Sequence, residues 1–261
     1  MFILIKGAGD LASGIALRLF HCGMDIAMTE LEKPTSIRRT VCFSEAISHG
    51  STTVEDVEAV SCQADKAREI TGSGKIAVIA DPECNCLSVL RPDVLIDARL
   101  LKRNEGTKLT DAPLVIGIGP GYTAGVDCHA VIETQRGHTL GRVIREGSAE
   151  KNTGVPGFIA GFSVERLLRS PDDGIFQPLK KIGDTVKKGD VTAVVNGKPM
   201  TAQIDGIIRG LLPKGAQVYK GMKSGDIDPR CEKSHCFTVS DKALAIAGGV
   251  LEAILWNTNQ R

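Results

Sequence analysis

Residues 2–30 constrain the fold more than any other stretch of the 261-residue chain. Phe2 to Ile5 is a continuous apolar run, the pattern of a strand buried on both faces. It ends at Lys6-Gly7-Ala8-Gly9-Asp10, with Gly14 one turn further on. Ile15, Leu17, Leu19 and Phe20 then continue as an apolar helix up to Gly23, and Asp25 to Thr29 reads as a second strand with Glu30 at its end. Strand, glycine turn, helix, strand and acid, in that order, open a doubly wound unit of the dinucleotide-binding type. The alternation continues with a helix over 62–70 and strands over 75–80, 94–96 and 114–118. Asp81, Asp97 and Arg99 fall at strand ends, where such sheets bind ligands.

The pattern changes near residue 150. Asn152 to Gly157 reads as a loop and Phe158 to Leu168 as an amphipathic helix. From Asp173 short β runs alternate with Gly and Lys turns, as in a small barrel or sandwich. Ile182 to Asp190 resembles the repeat of biotinyl- and lipoyl-type barrels and recurs in degenerate form over 212–221. Lys198 lacks the flanking pattern of a carrier lysine and reads as an ordinary turn residue. A final helix starts at Ser240-Asp241, and its Gly248-Gly249 pair predicts close packing back onto the first unit. The expected fold class is therefore α/β: a Rossmann-like, mostly parallel sheet, a second small all-β barrel-sandwich-like domain, and a C-terminal helix. The expected domains are 1–155, 156–237 and 238–261.

Charge excludes some functions. Lys and Arg number 32 against 31 Asp and Glu, a net +1 that gives no field for nucleic acid or an acidic membrane surface. Aromatic residues are too few for stacking platforms. No secretory signal and no membrane-length apolar run is visible, so the expected compartment is the cytoplasm and the eight cysteines are expected as free thiols. Cys84, Cys86, Cys128, Cys231 and Cys236 have no zinc-site spacing. No metal is expected, and their roles stay open.

The segment 113–143 carries the densest set of chemical groups. Strand-like Leu114 to Ile118 stops at Gly119-Pro120-Gly121, and Asp127-Cys128-His129 follow. A β run over 130–134 then leads to Arg136, His138, Gly141 and Arg142. Glycines where a strand ends, beside groups that bind anions or donate protons, describe a site rather than a core. The candidate ligand-binding residues are Gly7, Gly9, Asp10, Gly14, Glu30, Arg99, Gly119, Gly121, Asp127, His129, Arg136, His138 and Arg142. Arg99, Arg136 and Arg142 are the candidate anion partners, since guanidinium pairs bidentately with phosphate. Asp10 is unusual in such a turn, because its carboxylate repels a pyrophosphate. No residue is assigned a catalytic role.

Gly117 to Gly125, Asp127-x-His129-x-Val131-Ile132-Glu133-Thr134 and Arg136-Gly137-His138-x-Leu140-Gly141-Arg142-Val143 resemble the YqeB-type accessory proteins of the selenium-dependent molybdenum hydroxylase system. Asp97-Ala98-Arg99, Asn152-Thr153-Gly154 and Gly225 to Arg230 add to the likeness. It implies kinship with the XdhC/CoxI chaperones, which are associated with holding molybdenum cofactor, its sulfuration and its insertion. The separate cysteine-bearing N-terminal domain of those chaperones has no counterpart here. The expectation that follows is a molybdenum hydroxylase maturation factor. It would bind a molybdopterin dinucleotide or other nucleotide in a Rossmann-like cleft, with the hydroxylase apoenzyme as partner and a homodimer left open. An NAD(P)-dependent oxidoreductase, a sulfur or selenium transferase and a ligand-free interaction scaffold are the alternatives.

Overall fold

The structure, a computed structural model, describes residues 1–259. The chain divides into two compact units, one of residues 1–34, 42–153 and 239–261, the other of residues 35–41 and 154–238.

The first unit opens with β1 (Phe2–Lys6), α1 (Asp10–His21) and β2 (Asp25–Glu30). It continues with α2 (Glu45–His49), β3 (Ser51–Val54), β4 (Val57–Ser61), α3 (Ala67–Gly72), β5 (Ile76–Ala80), α4 (Leu87–Leu90), β6 (Val94–Asp97) and β7 (Leu114–Ile118). Next come β8 (Thr123–Ala124), β9 (Ala130–Ile132), β10 (Val143–Ile144) and β11 (Gly147–Ser148), and α5 (Asp241–Asn259) closes the chain. Nine strands form one sheet in the order β10-β9-β7-β6-β1-β2-β5-β4-β3. Every residue of β1, β6 and β7 is buried, the requirement for strands covered on both faces. α1 and α5 pack together, and Gly14 is where they meet: a Cβ there would stand 2.6 Å from that of Ala243.

The fold class is corrected at this point. The sheet is mixed, because the pairs β3–β4 and β9–β10 at its two edges run antiparallel. The hairpin β3–β4 turns on Glu55-Asp56, with Glu55 at φ +54°, and no glycine marks the turn. Between β6 and β7, and between β7 and β9, no α-helix intervenes, so the regular doubly wound alternation stops at β6.

The second unit is built from β12 (Leu167–Arg169), β13 (Gly174–Pro178), β14 (Thr185–Val186), β15 (Val191–Val195), β16 (Lys198–Thr201), β17 (Gly206–Leu211), β18 (Gln217–Val218) and β19 (Lys223–Asp228). They form two antiparallel four-stranded sheets, β12-β19-β17-β14 and β16-β15-β13-β18, around a core that includes Phe176, Val195, Ile208 and Ile227. The repeated Lys-x-Gly-Asp turns are closed alike: Asp184 accepts from Lys181 N–H at 2.8 Å, and Asp190 from Lys187 N–H at 3.0 Å. Residues 158–168, expected as a helix, hold only a 3-10 turn at Val164–Arg166 and the start of β12. Phe158, Phe162 and Val164 are exposed, and Leu168 enters the core as a residue of β12, not on a helix face.

Candidate functional site

Parallel register brings the carboxyl ends of β1, β6 and β7 side by side, with Lys6 opposite Asp97 and Asp97 opposite Gly117. Asp97 is fully buried and gathers the polar groups around it. Its Oδ1 accepts from Arg99 Nε at 3.0 Å, and its Oδ2 accepts from Arg99 Nη2 and from the Thr107 hydroxyl, each at 2.6 Å. Lys6 Nζ donates to Thr107 Oγ1 at 2.9 Å and stands 3.7 Å from Asp97 Oδ2. Asn104 fixes the loop, accepting from Thr107 N–H at 2.9 Å and donating to Asp127 Oδ1 at 3.0 Å. Asp127 in turn accepts from Thr123 N–H at 2.7 Å. Leu100 and Lys102, in the loop between Arg99 and Thr107, both lie in the left-handed region at φ +59° and +65°, strain of the kind concentrated at working sites.

Tyr122 completes the cluster. Its ring packs over β7 at Gly117, where a Cβ would stand 2.5 Å from the ring. The hydroxyl is buried beside Asp97 and Arg99, close enough for both to act on it as hydrogen-bonding groups, though it makes no hydrogen bond of standard geometry. Burial, then the Asp97 charge, pushes its pKa up, so it remains a donor. Burial also pushes the Asp97 carboxyl up, but Arg99, Thr107 and Lys6 outweigh it and hold it below the ordinary carboxylate range. Arg99 is raised by its hydrogen bonds to Asp97. Lys6 and Arg99 both face the Asp97 carboxylate, with Asp127 held beside the cluster by Asn104 and Glu105 acting on Arg99.

The other residues singled out in the sequence are placed as follows. Gly7, at φ +99°, packs on the backbone of Ala98 and Arg99, and Gly121 packs on that of Lys102 and Arg103, so both border the Asp97 cluster. Gly9 is the N-cap of α1, and Asp10 is in its first turn. Glu30 closes the glycine turn itself, accepting from Ala8 N–H at 2.9 Å and Leu31 N–H at 2.8 Å. Gly14 serves the contact of α1 with α5. Gly119 packs on the Thr134 side chain, and His129 Nδ1 accepts from Val115 N–H at 2.9 Å. Arg136 is exposed and pairs bidentately with Asp241 at 2.8 Å, while His138 and Arg142 are exposed. Lys6, Thr107 and Tyr122 were not among the sequence candidates. A lysine and an aspartate ending apolar strands that pair side by side were the available signal for the first of them.

A cavity of about 260 Å³ bordered by Met1, Asp93, Leu114 and Ile254 opens at the opposite edge of the sheet. Its titratable group, Asp93, is engaged by the N–H of Phe2 at 2.8 Å, so the convergent polar chemistry lies at the Asp97 edge. Among the described residues no three His, Cys, Asp or Glu side chains converge as a metal set.

No family model matches the chain. It is 50% identical over 259 residues to "Uncharacterized protein YqeB" of Escherichia coli strain K12, across 99% of this chain and 48% of the relative. The chain thus spans about half the length of the curated relative it matches. Among solved structures, an aspartoacylase family protein of Mesorhizobium loti aligns over 87% of this chain and 84% of its own, at 13% identity and TM-score 0.28. A succinylglutamate desuccinylase of Silicibacter covers the same shares at 14% identity and TM-score 0.26. A succinylglutamate desuccinylase/aspartoacylase of Rhodobacter sphaeroides covers 33% and 29% at 22% identity and TM-score 0.22. Alignments this loose carry no argument about chemistry.

The findings correct what the resemblance implied. The YqeB relative carries no stated activity, and the solved structures aligned are acylase and desuccinylase proteins rather than XdhC/CoxI chaperones. Maturation of a selenium-dependent molybdenum hydroxylase, an apoenzyme partner, and the oxidoreductase, transferase and scaffold alternatives thus find no support in the relatives matched and are withdrawn. The geometry gives a physical reason against the dinucleotide: the carboxylate of Glu30 takes the Ala8 N–H of the glycine turn, where a phosphate would need a free donor.

Proposed function

We propose that the first unit binds a small anionic molecule at the carboxyl edge of β1, β6 and β7, with Tyr122 and Arg99 as its contacts. The Tyr122 hydroxyl, buried beside Asp97 and Arg99 without a hydrogen bond of standard geometry, carries this reading. A buried donor without an acceptor costs about 1–3 kcal/mol, a cost that a ligand oxygen would remove. The cationic heads of Lys6 and Arg99 beside that hydroxyl favour an anion. Arg99 donates to Asp97 through Nε and Nη2, leaving Nη1 for a ligand. Gly7, Gly121 and Asp127 shape and fix the surrounding loops. The eight free cysteines, Cys22 and Cys231 exposed among them, fit a reducing cytoplasm.

Calorimetric titration with succinate and with inorganic phosphate tests the proposal. At least one should bind, and Tyr122→Phe should weaken that binding about tenfold, the value of one lost hydrogen bond. No heat from either anion, or unchanged affinity in the variant, would overturn it.

A further inference from the structure

We propose that His235 is a phosphoryl-acceptor site, taking a phosphoryl group on Nε2 from a small acyl phosphate. The residues that build it all belong to the second unit, and it stands independently of any ligand at Tyr122. His235 is carried on a 3-10 turn, Lys233–Cys236, which Glu232 caps by accepting from Ser234 N–H at 3.2 Å and from the Ser234 hydroxyl at 2.9 Å. Its backbone is pinned on both sides. The carbonyl accepts from Arg38 Nη2 at 3.0 Å and from Arg209 Nε at 3.2 Å, and the N–H donates to the Glu232 carbonyl at 3.1 Å.

The imidazole has two unlike edges. Nδ1 is buried, makes no hydrogen bond of standard geometry, and stands 3.9 Å from Oδ2 of Asp228. The side chain as a whole is 37% exposed, so the edge that meets solvent is the one carrying Nε2. Asp228 itself is fully buried. Arg230 grips it bidentately, Nε to Oδ1 at 2.9 Å and Nη2 to Oδ2 at 2.6 Å, and Arg209 Nε stands 3.9 Å from Oδ2. Burial raises the Asp228 carboxyl, but Arg230 and then Arg209 outweigh it and keep it ionised. A fixed carboxylate beside Nδ1 favours the tautomer with its proton there. The Nε2 lone pair then points outward, as a nucleophilic histidine requires.

The guanidinium groups of Arg38, Arg209 and Arg230 lie round this one residue, against the carboxylates of Asp228 and Glu232. Guanidinium is the side-chain group best matched to phosphoryl oxygens, which favours a phosphoryl over a neutral acyl group. The other histidines are set differently. His21 pairs with Asp56, itself 71% exposed, and His49 Nδ1 lies 3.0 Å from the Glu45 carbonyl. His129 Nδ1 is engaged by Val115 N–H, and His138 is exposed.

In the reaction the Nε2 lone pair attacks phosphorus. An N–P bond forms, the P–O bond to the acyl group breaks, and the carboxylate leaves with that electron pair. The ring keeps its Nδ1 proton and becomes cationic, and Asp228 stabilises the new charge across Nδ1–H. One histidine and one acyl phosphate give one phosphohistidine and one free carboxylate.

The experiment incubates the native chain with acetyl phosphate at neutral pH and maps phosphohistidine by mass spectrometry without acid treatment. His235 should be labelled ahead of His21, His49 and His138, whose exposed rings are internal controls. In urea that lead should vanish, because Asp228 no longer orients the ring. Asp228→Asn should slow labelling of His235 about tenfold, the effect of one pKa unit of lost interaction with the imidazolium. It should also move the His235 imidazole nitrogen resonances away from those of the Nδ1–H tautomer. The proposal is overturned if His235 stays unlabelled, if the exposed histidines are labelled as fast in the native chain, or if the lead survives in urea. These comparisons use the unaltered sequence, so they decide the matter even where Asp228→Asn fails to fold.

Discussion

Asp97 and Tyr122 show how much a single buried polar atom decides. Asp97 is compensated on every side, so removing its charge strands Lys6 and Arg99. Asp97→Asn should cost about 3 kcal/mol in urea unfolding, as expected when one partner of a buried ionic network is lost. Tyr122 is the opposite case. Its hydroxyl is buried and makes no hydrogen bond of standard geometry, so Tyr122→Phe should leave stability unchanged or raise it by about 1 kcal/mol. A loss of stability beyond about 1 kcal/mol would mean that the hydroxyl is satisfied within the protein, and the binding reading would go with it. The sequence marked Asp97 and Arg99 through their strand-end position. It could not mark Tyr122, whose burial depends on the missing side chain of Gly117 in another element.

At the scale of elements, the adjacent glycines of α5 have opposite roles. Gly249 lies against the carbonyl of Gly141, with no room for a Cβ, whereas the nearest atom to a Cβ at Gly248 is Arg18 Nη1 at 3.5 Å. Gly248→Ala should therefore gain about 1 kcal/mol of helix propensity. Gly249→Ala should lose about 3 kcal/mol by forcing α5 off the 133–142 segment. Thermal melts of the two variants moving in the same direction would contradict this packing. The sequence showed that a glycine pair in a helix needs a reason, but not which of the two carried it. Similarly, β1, β5, β6 and β7 were legible as apolar runs. The β3–β4 hairpin was not, because its turn uses Glu55-Asp56 in place of the usual glycine. Residues 158–168 misled in the other direction: Phe158, Phe162 and Val164 stay exposed, while Leu167 and Leu168 are buried as strand residues of β12, so no single helix face is covered.

For the whole molecule, the buried acids set the response to pH. Asp97 and Asp228 are fully buried, each held bidentately by an arginine two residues on, and both carboxyls lie below their ordinary pKa because those contacts outweigh burial. Groups depressed in the folded state contribute stability that is fully present above the unfolded value of about 3.9 and is lost as pH falls through the folded value. Unfolding free energy should thus hold level on this account from neutral pH to about 5 and decline below about 4. Stability rising on acidification through that range would be incompatible with the two networks. By itself the sequence determined where apolar strands begin and end, and which end of each carries polar groups, because those follow from local residue order. Only the tertiary structure decided that the sheet is mixed, that Glu30 closes the glycine turn, and that Lys6, Asp97, Arg99 and Thr107 share one network with Tyr122 packed beside it. Strand register, and contacts across as many as a hundred residues, place those groups together, and no local pattern encodes that distance.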